Sequence, residues 1–367
     1  MAQRALRTCW TWLKTVPEGC WRHCNQRRRD KLVIVQRNMA LTNLNTLGIA
    51  AKASYFAEVT SLDALATLLA DTKLASLPRL VLGGGSNIVL QQDFAGLVVK
   101  IALRGVQCEA LGESRLLRVA AGENWDALVK SCLQQGWYGL ENLISIPGSV
   151  GAAPIQNIGA YGVELSDVLV AVSGWDLREN CLRRLSASDC ELSYRSSIFK
   201  THLLDQFIVT EVELKLSHSP SPNIRYQALA DALPSGVDVT PELVAETVAR
   251  LRASKLPDFR LEPNAGSFFK NPIIEASNAA ELQAEHPQLV SWPMPDGRVK
   301  LAAAWLVDQC GWKGQRVDGV GVHPRQAIVL VNYEHCSGGN VLALAAAIQE
   351  AVSQRFGVAL EIEPRIY

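Results

Sequence analysis

A glycine-rich stretch from Gly139 to Gly162 has residue types suited to holding a flat ligand against the backbone. Its sequence, GLENLISIPGSVGAAPIQNIGAYG, contains no charged residue after Glu141. The glycines interrupt any apolar period, so neither a helix nor a half-buried strand is predicted, and they let backbone N–H groups approach a ligand closely. The amides of Gln156 and Asn157 could read a heterocycle. A buried glycine-rich turn between strands is the alternative interpretation.

The segment 83–87, with the sequence GGGSN, follows the apolar run 79–82 and offers a tight loop of N–H donors. Such a loop suits a diphosphate. It is not the dinucleotide fingerprint GxGxxG, because the strand-like run 88–90 follows it instead of a helix. Glycine-rich hairpins are common, so the loop alone is weak support for a phosphate site.

Two short segments carry side chains that could act on a substrate. Arg195, in the aromatic-flanked loop SYRSSIFK, could bind a carboxylate through two hydrogen bonds, although a surface arginine is the commoner case. Ser267, in NAGSFFKNP, places a hydroxyl beside two phenylalanines; the alternative is a plain turn with the phenylalanines in the core. No cysteine or histidine cluster has the spacing of metal ligands, so no metal site is predicted.

The surrounding pattern predicts an α+β fold. Capping residues and apolar spacings of three and four predict helices at 61–71, 125–134, 239–256, 300–310 and 340–356. Apolar or alternating runs predict strands at 79–82, 97–101, 116–121, 168–177, 207–216, 327–332 and 359–366. The segment SHSPSP, 217–222, is typical of a linker.

Composition limits the class of protein. The 367 residues are enough for two or three domains, and 48% hydrophobic with 20% charged residues is typical of a globular protein. No apolar run is long enough to predict a membrane-spanning helix. The nine cysteines have no paired spacing, which favours reduced thiols and a cytoplasmic location.

Charge is unevenly distributed along the chain. Residues 1–38 contain nine basic and two acidic residues, a net charge of +7, whereas the rest contains 27 basic and 34 acidic residues, a net charge of −7. The acidic body argues against nucleic-acid binding. We expect residues 1–38 to be a dispensable extension before a functional start at Met39, so that a chain beginning there folds, binds its cofactor and stays active. A membrane-surface helix is the alternative.

Six motifs, in this order, resemble those of the UDP-N-acetylenolpyruvoylglucosamine reductases, flavoenzymes that complete UDP-N-acetylmuramate for peptidoglycan. They are LGGGSN, AAGENW, the 139–162 stretch, YRSSIF, NAGSFFKNP and the terminal LEIE. The similarity runs from Met39 to the C-terminus and points to the longer, type I branch. It implies a two-part FAD-binding region of the vanillyl-alcohol-oxidase type at 39–222, with a smaller α+β substrate-binding domain at 223–367.

The resemblance also assigns roles to residues. FAD contacts fall on Gly83, Gly84, Gly85, Ser86, Asn87, Pro147, Gly148, Ser149, Gly151, Ala152, Gln156, Asn157, Gly159, Ala160, Tyr161 and Gly162. Binding of the UDP-sugar or of NADPH falls on Tyr226, Lys255, Asn271 and Gln326. Ser267 matches the proton donor, and Arg195 and Glu363 match the residues that stabilise the enolic intermediate. The FAD is expected to be noncovalent, because no histidine that could attach it lies between residues 39 and 200.

In this family a hydride passes from NADPH to FAD and then to the terminal carbon of the enolpyruvyl group, while a proton goes to the neighbouring carbon. The carboxylate becomes enolate-like, so the site needs positive charge and one acid. Two departures stand out: 152–153 is an alanine pair where hydroxyls are common, and Pro364 removes a backbone donor beside Glu363. We expect a cytoplasmic monomer that binds UDP-N-acetylglucosamine enolpyruvate and NADPH, with no nucleic-acid or membrane partner.

Two other functions are compatible with such a fold. One is a flavin-dependent oxidase of a sugar or alcohol, and the other is a non-catalytic flavin- or nucleotide-binding protein. The presence of Ser267, Arg195 and Glu363 together argues against both.

Overall fold

Several helices in the computed structural model, which describes residues 33–367, begin at residues whose side chains cap them. Ser61 accepts a hydrogen bond from the N–H of Ala64 at 3.1 Å, and Asn124 accepts one from Ala127 at 2.9 Å. Such caps satisfy N–H groups that no helical carbonyl reaches. The helices are α1 Leu62–Ala70, α2 Thr72–Ala75, α3 Trp125–Gln134, α4 Gln227–Ala230, α5 Pro241–Lys255, α6 Ala276–Glu285, α7 Ala303–Gln309 and α8 Gly338–Phe356.

The first sheet mixes parallel and antiparallel pairs. This part of the chain contains β1 Val35–Ala40, β2 Lys52–Val59, β3 Arg79–Leu82, β4 Ile88–Val89 and β5 Phe94–Ile101. The sheet order is β1-β2-β5-β3, with β1 antiparallel to β2, and with β2 and β3 both parallel to β5. The predicted strands at 79–82 and 97–101 are therefore confirmed.

The second sheet is antiparallel throughout. Its part of the chain contains β6 Val106–Leu111, β7 Ser114–Ala120, β8 Gly159–Ala160, β9 Val163–Glu164, β10 Leu169–Asp176, β11 Cys181–Ser186 and β12 Phe207–Ser217. The order is β11-β10-β12-β7-β6, and β8 and β9 form a separate small hairpin. All six residues of β6 are exposed, which explains why no apolar alternation predicted that strand.

The C-terminal part contains short strands around α7 and α8. They are β13 Asn264–Ser267, β14 Ile273–Ile274, β15 Ser291–Pro293, β16 Val299–Leu301, β17 Arg316–Val317, β18 Val320–Val322, β19 Val329–Asn332 and β20 Arg365–Ile366. One sheet has the order β13-β19-β18-β17, and another has β14-β16-β15. The last strand, β20, pairs in parallel with β4 in a separate two-stranded sheet, so the C-terminal segment lies beside segment 83–87.

The first sheet separates two hydrophobic cores. Leu97 and Val99 of β5 belong to the core that includes the second sheet, whereas Val98 belongs to the core of the C-terminal part. Side chains alternate across a strand, so a single strand contributes to both cores. This arrangement fixes the C-terminal part firmly against the first sheet.

Helix α5 completes the first core although it follows the predicted linker. Val244, Ala245 and Val248 are buried there, together with Leu229 of α4. A domain boundary after residue 222 would separate these residues from the core that they fill. We therefore propose a boundary near the end of α5 instead.

Two predicted elements are shorter than expected. The helix predicted for 300–310 begins at Ala303, because residues 299–301 pair with both β14 and β15. Asn271 Oδ1 accepts the N–H of Ala303 at 3.0 Å, which stabilises that start. The strand predicted for 359–366 is wrong in extent, since only β20 and a single bridge upstream of it pair with other strands.

The predicted extension overlaps β1. Residues 1–32 lie outside the described part of the chain, but Val35, Gln36 and Arg37 pair with β2, so a break after Asn38 would cut this strand. We predict that a chain beginning at Val33 melts at the same temperature as the full chain. A chain beginning at Met39 should melt lower, by roughly 2–4 °C per kcal/mol of lost strand pairing. Equal melting temperatures for both truncations would show that β1 contributes nothing before Met39.

Candidate active site

Segment 83–87 lies between β3 and β4 and touches the glycine-rich stretch 139–162, the central stretch. A Cβ added to Gly84 would lie 2.7 Å from Gly148 Cα, closer than real Cβ contacts occur. Gly85 has φ +66°, and its added Cβ would lie 1.9 Å from the Leu44 carbonyl oxygen. Only glycine allows this backbone path and this approach. The loop and the central stretch, predicted separately, therefore form one surface.

The surface has free hydrogen-bond donors and a cavity. Within residues 33–367, the N–H groups of Gly84, Gly85 and Ser86 make no backbone hydrogen bond. The cavity has a volume of about 160 Å³, and its lining includes Gly84, Lys100, Gly122, Asn124, Gly148 and Ser149. That volume suits the diphosphate part of FAD rather than the whole molecule. Consecutive N–H donors beside a lysine fit such a group, so this region fits the expected cofactor.

The side chain of Asn157 makes hydrogen bonds within the protein. It is fully buried, with φ +44°. Its Nδ2 donates to Glu164 Oε2 at 2.7 Å, and its Oδ1 accepts the N–H of Ser166 at 3.0 Å. Gln156 is also engaged, because Asn87 Nδ2 donates to its Oε1. We therefore propose that Asn157 positions the central stretch instead of reading a flavin ring.

Arg195 sits in a tight, strained turn. Ser193 and Ser196 exchange two backbone hydrogen bonds of 3.1 Å each, and Arg195 between them has φ +53°. Its Nη2 donates to the Gly159 carbonyl at 3.0 Å. Non-glycine residues with positive φ cost of order 1–3 kcal/mol and cluster at functional sites. The strain and the contact with the central stretch both support a functional role for this arginine.

Glu363 faces Arg195 from the C-terminal segment. Its Oε1 lies 3.2 Å from Arg195 Nε, yet that buried nitrogen makes no hydrogen bond within the described chain. The distance supports an ion pair. Nη2 of the same guanidinium is already bonded to the Gly159 carbonyl, so a developing negative charge could use the Nε–H and the remaining N–H groups.

Ser267 reaches the same place through strand pairing. The N–H of Glu363 donates to the Phe268 carbonyl at 2.9 Å, and the N–H of Lys270 donates to the Glu361 carbonyl at 2.9 Å. The two segments therefore run side by side, with Ser267 half-buried at the end of β13. Phe268 and Phe269 are buried in the core, so the alternative interpretation is right for the phenylalanines while the serine remains accessible.

Comparison with known proteins decides the family. A family model described as UDP-N-acetylenolpyruvoylglucosamine reductase, C-terminal domain, matches residues 257–367, and an FAD binding domain model matches 53–178. The UDP-N-acetylenolpyruvoylglucosamine reductase of Chromobacterium violaceum is 47% identical over 88% of this chain and 96% of its own length. That of Pseudomonas syringae pv. syringae is 45% identical over 91% and 99%. The chain belongs to the UDP-N-acetylenolpyruvoylglucosamine reductase family.

A solved structure supports the fold of this reductase family. The crystal structure of the Thermus caldophilus UDP-N-acetylenolpyruvylglucosamine reductase aligns with a TM-score of 0.64 at 24% identity, covering 92% of this chain and all of that one. Together with the FAD binding domain match, it confirms the predicted α+β fold with an FAD-binding region.

The reductase residues predicted to bind substrate are only partly brought together. The rings of Tyr226 and Tyr161 meet edge to face with centroids 5.4 Å apart, which places Tyr226 against the central stretch. Asn271 lies within hydrogen-bonding reach of the Tyr194 hydroxyl. Gln326 begins the turn into β19, where its carbonyl accepts the N–H of Val329 at 3.1 Å. Lys255 ends α5 exposed and without an ion pair in the described chain.

Sequence reasoning missed a group of cations around Glu363. Burial raises the pKa of Glu363, and three positive charges oppose that rise. They are Arg195, Lys200 and Lys270. Lys200 Nζ also donates to the Arg195 carbonyl at 3.2 Å and so braces the strained turn. Both lysines lie within segments that the sequence analysis had singled out, SYRSSIFK and NAGSFFKNP, and their place in those segments was the available signal.

We predict that Lys200→Met shifts the pH dependence of reductase activity. Burial and Lys270 lower the pKa of Lys200, whereas Glu363 and Glu361 raise it. Removing this cation leaves Arg195 and Lys270 as the charges that oppose the raised pKa of Glu363, so that pKa should rise further. The limb of the kcat/KM profile that reports Glu363 should therefore move to higher pH. Lys200→Arg, which keeps the charge, should leave the limb in place; equal profiles for Lys200→Met and wild type would contradict this coupling.

Proposed function

We propose that this protein is an FAD-dependent oxidoreductase that reduces UDP-N-acetylglucosamine enolpyruvate to UDP-N-acetylmuramate with NADPH, in peptidoglycan precursor synthesis. Family membership supports the reaction. The observation that carries the assignment is the ion pair of Arg195 and Glu363, which joins the C-terminal segment to Gly159 of the central stretch. The reaction needs a cation and an acid at such a junction.

The bound FAD supplies the hydride-transfer chemistry. The chain holds it through the N–H groups of segment 83–87 and through the central stretch, by noncovalent contacts. Arg195 binds and polarises the enolpyruvyl carboxylate, which a guanidinium can do in a planar, charge-assisted way. Glu363 holds that guanidinium in place through the ion pair.

Ser267 supplies the proton. Its Oγ–H bond breaks as the proton passes to the carbon next to the carboxylate, and the resulting alkoxide must recover a proton from solvent or a neighbour. A serine hydroxyl is a weak acid, so its conjugate base needs stabilisation in the transition state. The positive charges of Arg195, Lys200 and Lys270 lie close enough to Glu363 to act on its pKa, and they supply a field of the required sign for both the enolate and the alkoxide.

The remaining assignments rest on weaker observations. We propose that Tyr226, Lys255, Asn271 and Gln326 bind the UDP-sugar or NADPH, since the first lies against the central stretch and the second is an exposed lysine without an ion pair among residues 33–367. In residues 33–367, none of the helices combines the length and apolarity that a bilayer crossing needs. A cytoplasmic monomer stays a proposal.

One assay tests the function. The purified protein should show the absorbance of oxidised FAD, and NADPH should bleach it under anaerobic conditions. Addition of UDP-N-acetylglucosamine enolpyruvate should restore the absorbance and yield UDP-N-acetylmuramate in proportion to NADPH consumed. Oxygen uptake driven by a sugar or alcohol without NADPH would instead favour the oxidase function.

A further inference from the structure

Lys100 is a half-buried cation at the cavity between the two glycine-rich segments. It lies near the end of β5, and its Nζ donates to the carbonyl of Gly83, the first residue of segment 83–87. It also lines the cavity, together with Gly84, Gly148 and Ser149. Neither the sequence motifs nor the family resemblance assigns Lys100 a role.

Its charge has no close partner among the described residues. Glu58 lies opposite it on β2 and also lines the cavity, but no carboxylate of residues 33–367 comes within 4.0 Å of Lys100 Nζ. Glu123, on the far wall, is already occupied: it pairs with Arg104 at 3.2 Å and accepts the N–H of Gly105 at 2.8 Å. Burial therefore dominates and lowers the pKa of Lys100, with Glu58 opposing and Arg104 reinforcing that shift.

A partly buried ammonium group held only by one carbonyl is costly unless an anion completes its environment. Gly84, whose N–H makes no backbone hydrogen bond, lines the cavity beside Lys100, and the free N–H groups of Gly85 and Ser86 follow it in the loop. A cation and free backbone donors at and beside one cavity are the elements of a phosphate site. Arg104, the other cation of the lining, is paired with Glu123, and Glu58 lowers the positive charge further, so anion binding in this cavity depends on Lys100.

We propose that Lys100 is a cofactor-binding residue whose ammonium group contacts the diphosphate of FAD in this cavity. The proposal rests on the proposed function in one respect, that FAD is the ligand. It adds that the loop does not hold the diphosphate by backbone donors alone. The competing explanation is that Lys100 only ties the loop through the Gly83 carbonyl.

The test compares four variants of the full-length holoprotein. Stepwise dilution, followed by the fluorescence of released flavin, gives the FAD dissociation constant. Lys100→Met should raise it by ~10- to 100-fold, as expected for loss of a charged hydrogen bond. Lys100→Arg should stay within a few-fold of wild type. Lys100→Gln keeps a donor for the Gly83 carbonyl without the charge and should bind as poorly as Lys100→Met.

Lys73→Met is the matched control. Lys73 is an exposed lysine on α2 in the same part of the fold and away from the cavity lining, and its removal should leave the dissociation constant unchanged. The FAD dissociation constant should also rise with salt less steeply in Lys100→Met than in wild type. Salt screens the attraction between Lys100 and the diphosphate in wild type, and the variant lacks that attraction.

Two results would overturn the proposal. If Lys100→Met retains FAD as tightly as wild type, Lys100 makes no contribution. If Lys100→Gln restores wild-type binding, the lysine acts only as a tether. Both are distinct from failure of the proposed function, which would appear as a wild-type protein that binds no FAD or oxidises no NADPH with the enolpyruvyl substrate.

Discussion

We expect Ser267→Ala to slow reduction of the enolpyruvyl substrate by ~10²–10⁴-fold, the usual contribution of general acid catalysis, while FAD content and reduction of FAD by NADPH stay as in wild type. Ser267 ends β13, and its backbone, not its hydroxyl, pairs with Val329. The fold should therefore tolerate alanine. Hydride and proton go to different atoms of the substrate, so one mutation can separate the two halves of the reaction.

Stopped-flow absorbance distinguishes the two halves. The rate at which NADPH bleaches the protein reports the first, and the rate at which the enolpyruvyl substrate restores the absorbance reports the second. Ser267→Cys serves as the control, because a thiol can still donate a proton and should retain more activity than alanine. If alanine and wild type regain absorbance equally fast, Ser267 shapes a turn and does no chemistry.

Elements defined by local residues could be predicted from the sequence. Ser61, Asn124 and Thr240 all cap helices close to the predicted starts, because a cap depends on residues within one turn. The strand at 79–82 and the following loop were also predicted within a residue. Each of these elements depends on a sequence window shorter than about a dozen residues.

Pairings between distant segments could not be predicted in this way. Residues 300–301 fit a helical pattern, but β14 and β15 on either side draw them into a strand. The parallel pairing of β20 with β4, which brings the C-terminal segment to the cofactor loop, has no local signature. The same holds for the Arg195–Glu363 ion pair: Arg195 was singled out from its loop and Glu363 through motif resemblance, but neither signal predicted that they pair.

The roles of two lysines, Lys100 and Lys200, were missed for a related reason. A lysine in a strand, such as Lys100, is indistinguishable from a surface lysine until the neighbouring loop is in place. Lys200 likewise shows a role only in the folded chain, where its Nζ donates to the carbonyl of Arg195 in the strained turn. Burial without an ion pair is a property of the fold, and the sequence alone does not contain it.

We expect Gly84→Val to yield protein that folds but purifies without FAD. A Cβ in segment 83–87 would crowd a diphosphate bound by the loop. The structure gives a different reason, since the Cβ of residue 84 would lie 2.7 Å from Gly148 Cα and would force the two glycine-rich segments apart. Overpacking of this kind costs about 3 kcal/mol at the upper end. A loss of that size in binding free energy would raise the FAD dissociation constant ~150-fold.

The backbone of Gly148 cannot rotate away as a side chain can, so the steric strain from a side chain at residue 84 falls on the cavity between the two segments rather than on a distant core.

Gly85→Val should behave differently: with φ +66° and a Cβ 1.9 Å from the Leu44 carbonyl, it should lower the melting temperature as well as the FAD content. Gly339→Ala is the control, because its Cβ meets only Ser337 Oγ at 3.4 Å. Visible absorbance of the bound flavin, measured together with far-UV circular dichroism, separates these cases. Normal flavin content in folded Gly84→Val protein would place the diphosphate elsewhere.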